Sequence, residues 1–264
     1  MPDYPEILSD NFLDDATATY DSTEDDVYKV DFMADRNRGS KFKGENTTPQ
    51  HIVYDLGAAA SCDTFVLDKD FVITGGSGRH LRLQHSETDD GSTFDTDAVD
   101  LNNAALATTS LPIWKTFTSV SRRYWRLRLE GISAAPEIFN IWLGARIALT
   151  MSPYGNFDPW KEESIDTPLS ATGGGFQNVH HFSRRLLSAQ FENLSDTQMA
   201  FIDSWWNEAG QDGKNWWWLW KPDEYAGSAI AKWAPVYFNS AGLVRDFGFY
   251  ITQRAGIIEG REVL

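Results

Sequence analysis

The first 145 residues are cut into short apolar and polar alternations by clusters of Gly, Ser, Asn and Asp, and this pattern constrains the chain more than any other feature. Alternation at a period of two places every second side chain on one face of an extended strand. In the run from His51 to Gly57, residues Ile52, Tyr54 and Leu56 share such a face and Gly57 ends the strand. Leu81 and Leu83 alternate with His80, Arg82 and Gln84, and Trp125, Leu127 and Leu129 with Tyr124, Arg126 and Arg128. Phe139, Ile141 and Leu143 stand opposite Asn140 and Trp142, before Gly144. The stretches 74–79 and 89–92 carry loop residues. Strands at this spacing with no long helix among them make a β-sandwich rather than βαβ units.

Near residue 145 the texture changes. Pro153, Gly155, Pro159, Pro168 and Gly173–Gly175 crowd together, and Tyr154, Phe157 and Trp160 among them suit an arm that packs on something. A helix is then predicted from Asp196. Ser195 and Gln198 form a capping box, and Leu194 and Met199 occupy the two positions of a hydrophobic staple. Met199, Ile202, Trp205, Trp206 and Ala209 recur at helical spacing, and Gly210 supplies a left-handed stop. The segment before the helix alternates like a strand through Leu187, Ala189 and Phe191. After it, Trp216–Trp220 reads as an aromatic strand with two apolar faces, followed by strands over 236–239 and 247–254. On that strand Trp218 is assigned to the domain core and Trp217 to a subunit contact.

A formal charge of -15 opposes binding to phosphate backbones and anionic lipid, so nucleic acid is not an expected partner. No apolar run approaches the roughly 20 residues of a membrane span, and the acidic N-terminus lacks a basic region followed by an apolar one, so no membrane insertion or secretory signal is expected. Cys62 stands alone in 264 residues, beside no base or cationic cluster, and is read as an inert thiol. Eleven Trp are many for this length, and indoles want either a hydrogen-bonded core position or an interface with one wet end.

Motifs that carry chemistry are few. Gly75-Gly76-Ser77-Gly78 leads into a strand and not into a helix that could hold phosphate. His180 and His181 are neighbours on an extended chain and point to opposite faces, so they do not readily share a metal. No nucleophile elbow, zinc-protease motif or Cys-His cluster is present, and no enzymatic activity is expected. The acidic run Glu24, Asp25 and Asp26 reads either as a solvated loop or as a calcium site, since hard cations want several oxygen ligands.

Ala34-Asp35 with the polar loop to Phe42, the strand Ile52-Val53-Tyr54-Asp55-Leu56-Gly57, Leu81–Ser86 with Asp90-Gly91-Ser92, and Tyr124–Leu129 together resemble the coagulation-factor 5/8 type C family, also called discoidin or galactose-binding-like domains. The resemblance covers roughly residues 5–145. It implies an eight-stranded jelly roll that meets ligands with loops at one end, in a family that often carries a structural calcium near its first strands. The second half is similar, more weakly, to tail-tip and baseplate (distal tail) proteins of long-tailed bacteriophages. Phe191–Ser195 leading into the helix, Gly210, Gly213, and Trp216–Trp220 before Lys221-Pro222-Asp223 carry that resemblance, which implies a ring-forming assembly domain.

The expected architecture is therefore mainly β. An N-terminal jelly-roll β-sandwich over 1–145 is followed by a smaller α+β domain over 146–264, with one helix packed on a β-sheet. The expected function is that of a structural component of a phage tail, assembled in the host cytoplasm, with itself and other tail proteins as partners and host-surface glycan as a further contact. A free-standing carbohydrate-binding protein is the alternative, and a glycan-processing enzyme a more distant one. For a glycan, Arg36, Arg38, Lys41, Arg79 and Trp114 are the candidates, because they sit in or beside predicted loops and supply hydrogen-bond forks and a stacking face. For assembly, Tyr154, Phe157, Trp160 and Trp217 are the candidates. No cofactor is expected beyond a structural calcium at Glu24, Asp25 and Asp26.

Overall fold

The computed structural model describes residues 4–21, 27–45, 50–71, 81–94, 96–101, 112–130, 132, 134–153, 155, 157–170, 176–226, 236–239, 249–250, 253–254 and 256–263. The protein is mainly β and divides into two compact units. One holds Leu8–Ile147 together with the segment that begins at Lys221. The other holds Pro2–Ile7, Ala148–Trp220 and Val236–Leu264. Each unit thus takes in a short segment from the far side of the 145/146 division drawn on the sequence.

In chain order the first nine strands are β1 (Glu6–Leu8), β2 (Thr17–Tyr20), β3 (Phe42–Lys43), β4 (Gln50–Lys69), β5 (Leu81–His85), β6 (Thr96–Asp100), β7 (Ile113–Leu129), β8 (Glu137–Gly144) and β9 (Ile147–Ala148), of which β2 to β8 belong to the first unit. All described pairings among β2 to β8 are antiparallel. Two long strands, β4 and β7, tie the sandwich together. Over residues 50–55, β4 pairs with β2 and with the end of β7, and over residues 64–69 it pairs with β8, so one strand serves both layers of the jelly roll. Between these stretches the β4–β7 register jumps from Asp55↔Tyr124 to Ala60↔Arg122, a large bulge of the kind that lets a strand change sheets. Gly57 sits in that bulge at φ +74°, in the left-handed region that glycine adopts without a Cβ penalty. It turns the strand rather than ending it, which corrects the reading from sequence. The core is built from Ile52, Tyr54, Phe65, Leu67, Leu81, Leu83, Trp125, Leu127, Leu129, Ile141 and Leu143. Asn140 and Trp142, the other face of β8, are also buried.

The second unit contains β10 (Glu162–Ser170), β11 (Phe176–Phe191), α1 (Asp196–Trp205), β12 (Asn215–Leu219), β13 (Val236–Asn239), β14 (Phe249–Tyr250), β15 (Gln253–Arg254) and β16 (Gly256–Glu262), while the short helix α2 (Pro222–Ala226) belongs to the first. Its sheet runs β10-β11-β16-β13-β12-β1-β9. The capping box is present. Ser195 Oγ accepts from the Gln198 N–H at 3.3 Å, and Gln198 Oε1 accepts from the Ser195 N–H at 2.9 Å. Ile202, Trp205 and Ala209 are buried, and Trp205 meets Trp216 edge-on at 5.4 Å between centroids.

The helix end differs from the expected one. After Trp205 the coil widens into a π-turn over Trp206–Gly210, and the left-handed residue is Gly213, at φ +63°. Lys214 N–H donates to Ala209 O at 3.0 Å and Gly213 N–H to Gly210 O at 3.3 Å, the paired bonds of a Schellman ending. Gly210 is required for space instead, because a Cβ there would lie 2.6 Å from the Trp206 ring.

Candidate functional site

The site is assembled on the β3-β8-β4 side of the sandwich by the segment that follows Val27. Val30 and Met33 of a 3-10 turn are buried and anchor the segment. The polar loop after them is held by its own short side chains. Asp35 Oδ1 accepts from the Asn37 N–H at 2.8 Å, Asp35 Oδ2 from the Ser40 hydroxyl at 2.6 Å, and Asn37 Oδ1 from the Gly39 N–H at 3.0 Å. Arg36, at the unusual φ of +57°, is fixed by its side chain. Its guanidinium lies 4.5 Å above the Trp142 ring and donates to Asp14 Oδ2 at 2.6 Å and to Ser9 O at 3.2 Å.

The loop then lays cations on carboxylates distant in sequence. Arg38 Nε donates to Asp68 Oδ2 at 2.8 Å. Lys41 Nζ and Lys43 Nζ reach the two oxygens of Glu137 at 2.6 and 2.9 Å. β3 and β4 flank β8 here, through Lys43↔Glu137 and Asp68↔Asn140, so these groups form one continuous surface. Lys41 Nζ also lies 5.5 Å from the Tyr28 ring centroid and 6.0 Å from that of Phe139. Lys41 thus gathers the Tyr28 and Phe139 rings and the Glu137 carboxylate around one ammonium, a surface platform on which Tyr28 is 36% exposed.

Electrostatics follow from burial and pairing. Burial pushes the Asp68 carboxyl up, against the lowering effect of Arg38. The hydrogen bonds from Lys41 and Lys43 hold Glu137 below the usual carboxylate range. Lys69, fully buried and donating to Phe71 O at 2.9 Å, is pulled down to about 8 by desolvation, against the opposing pull of Asp68 and Asp70. Asn140 accepts from the Trp142 indole at 2.6 Å, and its own amide nitrogen is buried without a partner among the described residues.

Of the glycan candidates, Arg36, Arg38 and Lys41 come together on this surface, each already paired with a carboxylate. Arg79 lies outside the described residues. Trp114 is not on a loop. It lies in β7, 3% exposed, with its backbone N–H donated to the Tyr225 hydroxyl at 3.0 Å, and its ring offers no open stacking face. Tyr28, Phe139, Glu137 and Asp68 escaped the sequence reading. The contacts that make them a site join residues far apart in the chain, and only the polar loop beside an aromatic strand hinted at it.

Glu24, Asp25 and Asp26 lie outside the described residues, and among the described residues no group of three or more His, Cys, Asp or Glu is arranged to hold a metal. Of the assembly candidates, Tyr154 is outside the described residues. Phe157 packs on Trp220 with centroids 4.5 Å apart, and Trp160 is 37% exposed under the Arg185 guanidinium. Trp217 is 1% exposed and tilted against Tyr237 at 4.7 Å, so burial within the chain removes it from any subunit surface.

Two further clusters bear on chemistry. Ser164, His180 and Asp166 meet, but Ser164 Oγ and Asp166 Oδ1 both approach the same nitrogen, His180 Nδ1, at 2.9 and 2.8 Å. A proton relay uses both ring nitrogens, one for the nucleophile and one for the carboxylate, so this trio is not one. Cys62 is buried, and burial pushes its thiol up to about 12, which leaves no thiolate near neutrality.

No family model matches the sequence, and no curated protein matches it. Similar solved structures include carbohydrate-binding modules and also a putative alpha-L-fucosidase from Bacteroides thetaiotaomicron, 16% identical, covering 53% of this chain and 29% of that one, with a TM-score of 0.40. Chitosan-binding module 2 from a chitosanase/glucanase of Paenibacillus sp. IK-5, in complex with chitotriose, is 14% identical, covering 51% of this chain and 99% of that one, with a TM-score of 0.42. A CBM32 module from Clostridium perfringens in complex with GalNAc-β-1,3-galactose is 17% identical, covering 52% and 100%, with a TM-score of 0.41. Another, from a family 31 glycoside hydrolase of Clostridium perfringens, is 15% identical, covering 52% and 98%, with a TM-score of 0.41.

Proposed function

We propose that this chain is a non-catalytic structural component of a bacteriophage tail tip or baseplate, whose N-terminal unit carries a glycan-contacting surface directed at the host. The observation that carries the binding part is the platform of Tyr28 and Phe139 with the Lys41 ammonium over both rings and bonded to Glu137. Aromatic faces accept the apolar face of a sugar ring, while an ammonium and a carboxylate donate to and accept from its hydroxyls. The groups around the platform are matched as cation and carboxylate, an arrangement that holds a neutral polyol without the unpaired acid and base that cleavage needs.

The tail part is supported by the order of elements in the second unit: β11, the capped helix α1 and the aromatic strand β12, with Trp205 of the helix on Trp216 of the strand. In this reading the second unit assembles with copies of itself and other tail proteins in the host cytoplasm. A free-standing carbohydrate-binding protein would share the platform and lack the assembly. The test is a panel of immobilised host-surface glycans probed with the full chain and with Tyr28→Ala. Saturable binding to some member, lost in the variant, supports the glycan contact, and absence of binding across the panel removes it. Antibody labelling of purified virions at the tail end tests the assembly part, and labelling absent from virions sinks it.

A further inference from the structure

The chain leaves the second unit after Ile7 and returns to it at Ala148. The two crossings run side by side. Within the second unit, β1 and β9 are neighbours in the sheet, and the Leu149 N–H donates to Pro5 O at 3.0 Å. Within the first unit, the Phe12 N–H donates to Leu143 O at 2.9 Å, and the buried Asn11 side chain uses both its ends on the same neighbour. Its Oδ1 accepts from the Leu143 N–H at 3.1 Å and its Nδ2 donates to Ile141 O at 3.2 Å. The first unit is thus closed on itself, with its entry and its exit in adjacent segments.

β1 is an interior member of the second sheet. It stands between β12 and β9, so it closes the edge of the aromatic strand, whose Trp216, Trp217, Trp218 and Leu219 are all buried. Without β1 that edge would present a bare row of N–H and C=O groups beside an aromatic core. Ile7 is 0% exposed. A segment also passes the other way. α2 lies between β12 and β13 in the chain, yet it belongs to the first unit, where the buried Tyr225 hydroxyl accepts from the Trp114 backbone N–H and donates to Pro112 O, both at 3.0 Å.

We propose that the first unit is an insert carried by the second, entered after β1 and left into β9, and that β1 and α2 are exchanged segments, each completing the unit remote from it in sequence. A domain whose ends are adjacent adds little loop-closure entropy to the unit that carries it, which is why insertions of this kind are tolerated. A cut between residues 145 and 146 therefore leaves neither piece complete, the first lacking α2 and the second lacking β1. Resting on the proposed function, the insert makes glycan contact a module that can be exchanged without rebuilding the assembly sheet. The segment exchange itself does not depend on that reading.

The test is hydrogen exchange followed by mass spectrometry on the full chain and its variants Ile7→Asp, Ile7→Ala and Tyr225→Phe. Replacing Ile7 should speed exchange in β12, β13 and β16 by at least roughly tenfold, while β5 and β7 keep parental rates. Tyr225→Phe should do the reverse, speeding the start of β7 and leaving β11 and β16 unchanged. Ile7→Ala carries the answer if the aspartate variant does not fold. Acceleration confined to β5 and β7 on replacing Ile7, acceleration of both units together, or no acceleration in either would overturn the insert. The readout involves neither glycan nor virion, so its failure leaves the proposed function standing, and an empty glycan panel leaves the insert standing.

Discussion

Arg123 grips Asp55 with two parallel hydrogen bonds, Nε to Oδ1 at 2.6 Å and Nη2 to Oδ2 at 2.7 Å, at the bulge where β4 passes from one layer of the sandwich to the other. Asp55 Oδ1 also accepts from the Gly57 N–H at 2.8 Å, so one carboxylate holds both the cross-strand partner and the turning residue. Those bonds, Arg123 foremost, lower the Asp55 carboxyl to about 2. A depressed carboxylate stabilises the fold above its ordinary value of 3.8, and that contribution is lost as the pH falls from about 4 toward 2. The pair is part-exposed, so its contribution is small. Asp55→Asn should flatten the fall of melting temperature between pH 4 and pH 2, and an unchanged slope would show that the corner does not depend on this charge.

The two glycines after α1 should respond differently to alanine. At Gly210 a Cβ would press on the Trp206 ring at 2.6 Å and the Trp205 ring at 3.3 Å, an overpacking that costs about 1–3 kcal/mol. At Gly213, at φ +63°, the cost is backbone strain, about 1 kcal/mol. Urea denaturation should rank Gly210→Ala as the more damaging, and the reverse order would mean that the π-turn yields more easily than the left-handed turn.

Alternation carried much of the fold into view. Ile52 and Tyr54, Leu81 and Leu83, and Trp125, Leu127 and Leu129 are buried where their spacing put them, because one face of a sheet must leave water. The capping box was legible because its partners lie three residues apart. What stayed hidden was non-local. Gly57 looks the same whether it ends a strand or bends it. The pairing of Arg38 with Asp68 and of Lys41 with Glu137 joins positions that no local pattern connects, and the same polar loop chemistry fits solvated residues. Trp114 stands in a buried strand whose backbone N–H meets Tyr225, more than a hundred residues away, a partner that no local pattern reveals.

Trp217 and Trp218 are both buried in the chain, so Trp217→Ala and Trp218→Ala should each lose about 3–5 kcal/mol of stability. This replaces the sequence expectation that Trp217 serves association and leaves the fold intact. Chemical denaturation of the two variants decides it, and a Trp217→Ala protein with parental stability would restore the interface role.

Lys69 is buried with its amine pulled down to about 8 from an ordinary 10.5. Between those values the unfolded chain binds the proton that the folded chain has released, so stability from this group rises with pH from about 8 to 10.5. Lys69→Met should remove that rise and stabilise the protein near neutrality, by an amount on the order of 1 kcal/mol after loss of the Phe71 hydrogen bond. Denaturation midpoints at pH 7 and pH 9.5 give the answer. A variant less stable than the parent at both would show that the hydrogen bond outweighs the desolvation.

The most direct test of the binding claim is a calorimetric titration of the full chain with the strongest glycan from a panel screen, repeated with Tyr28→Ala and Lys41→Ala and accompanied by melting curves. Both variants should melt close to the parent, since Tyr28 and Lys41 are part-exposed, and should bind at least roughly tenfold more weakly, as removal of a stacking face or a charged donor does. Undiminished affinity in both variants, at unchanged melting temperature, would contradict it.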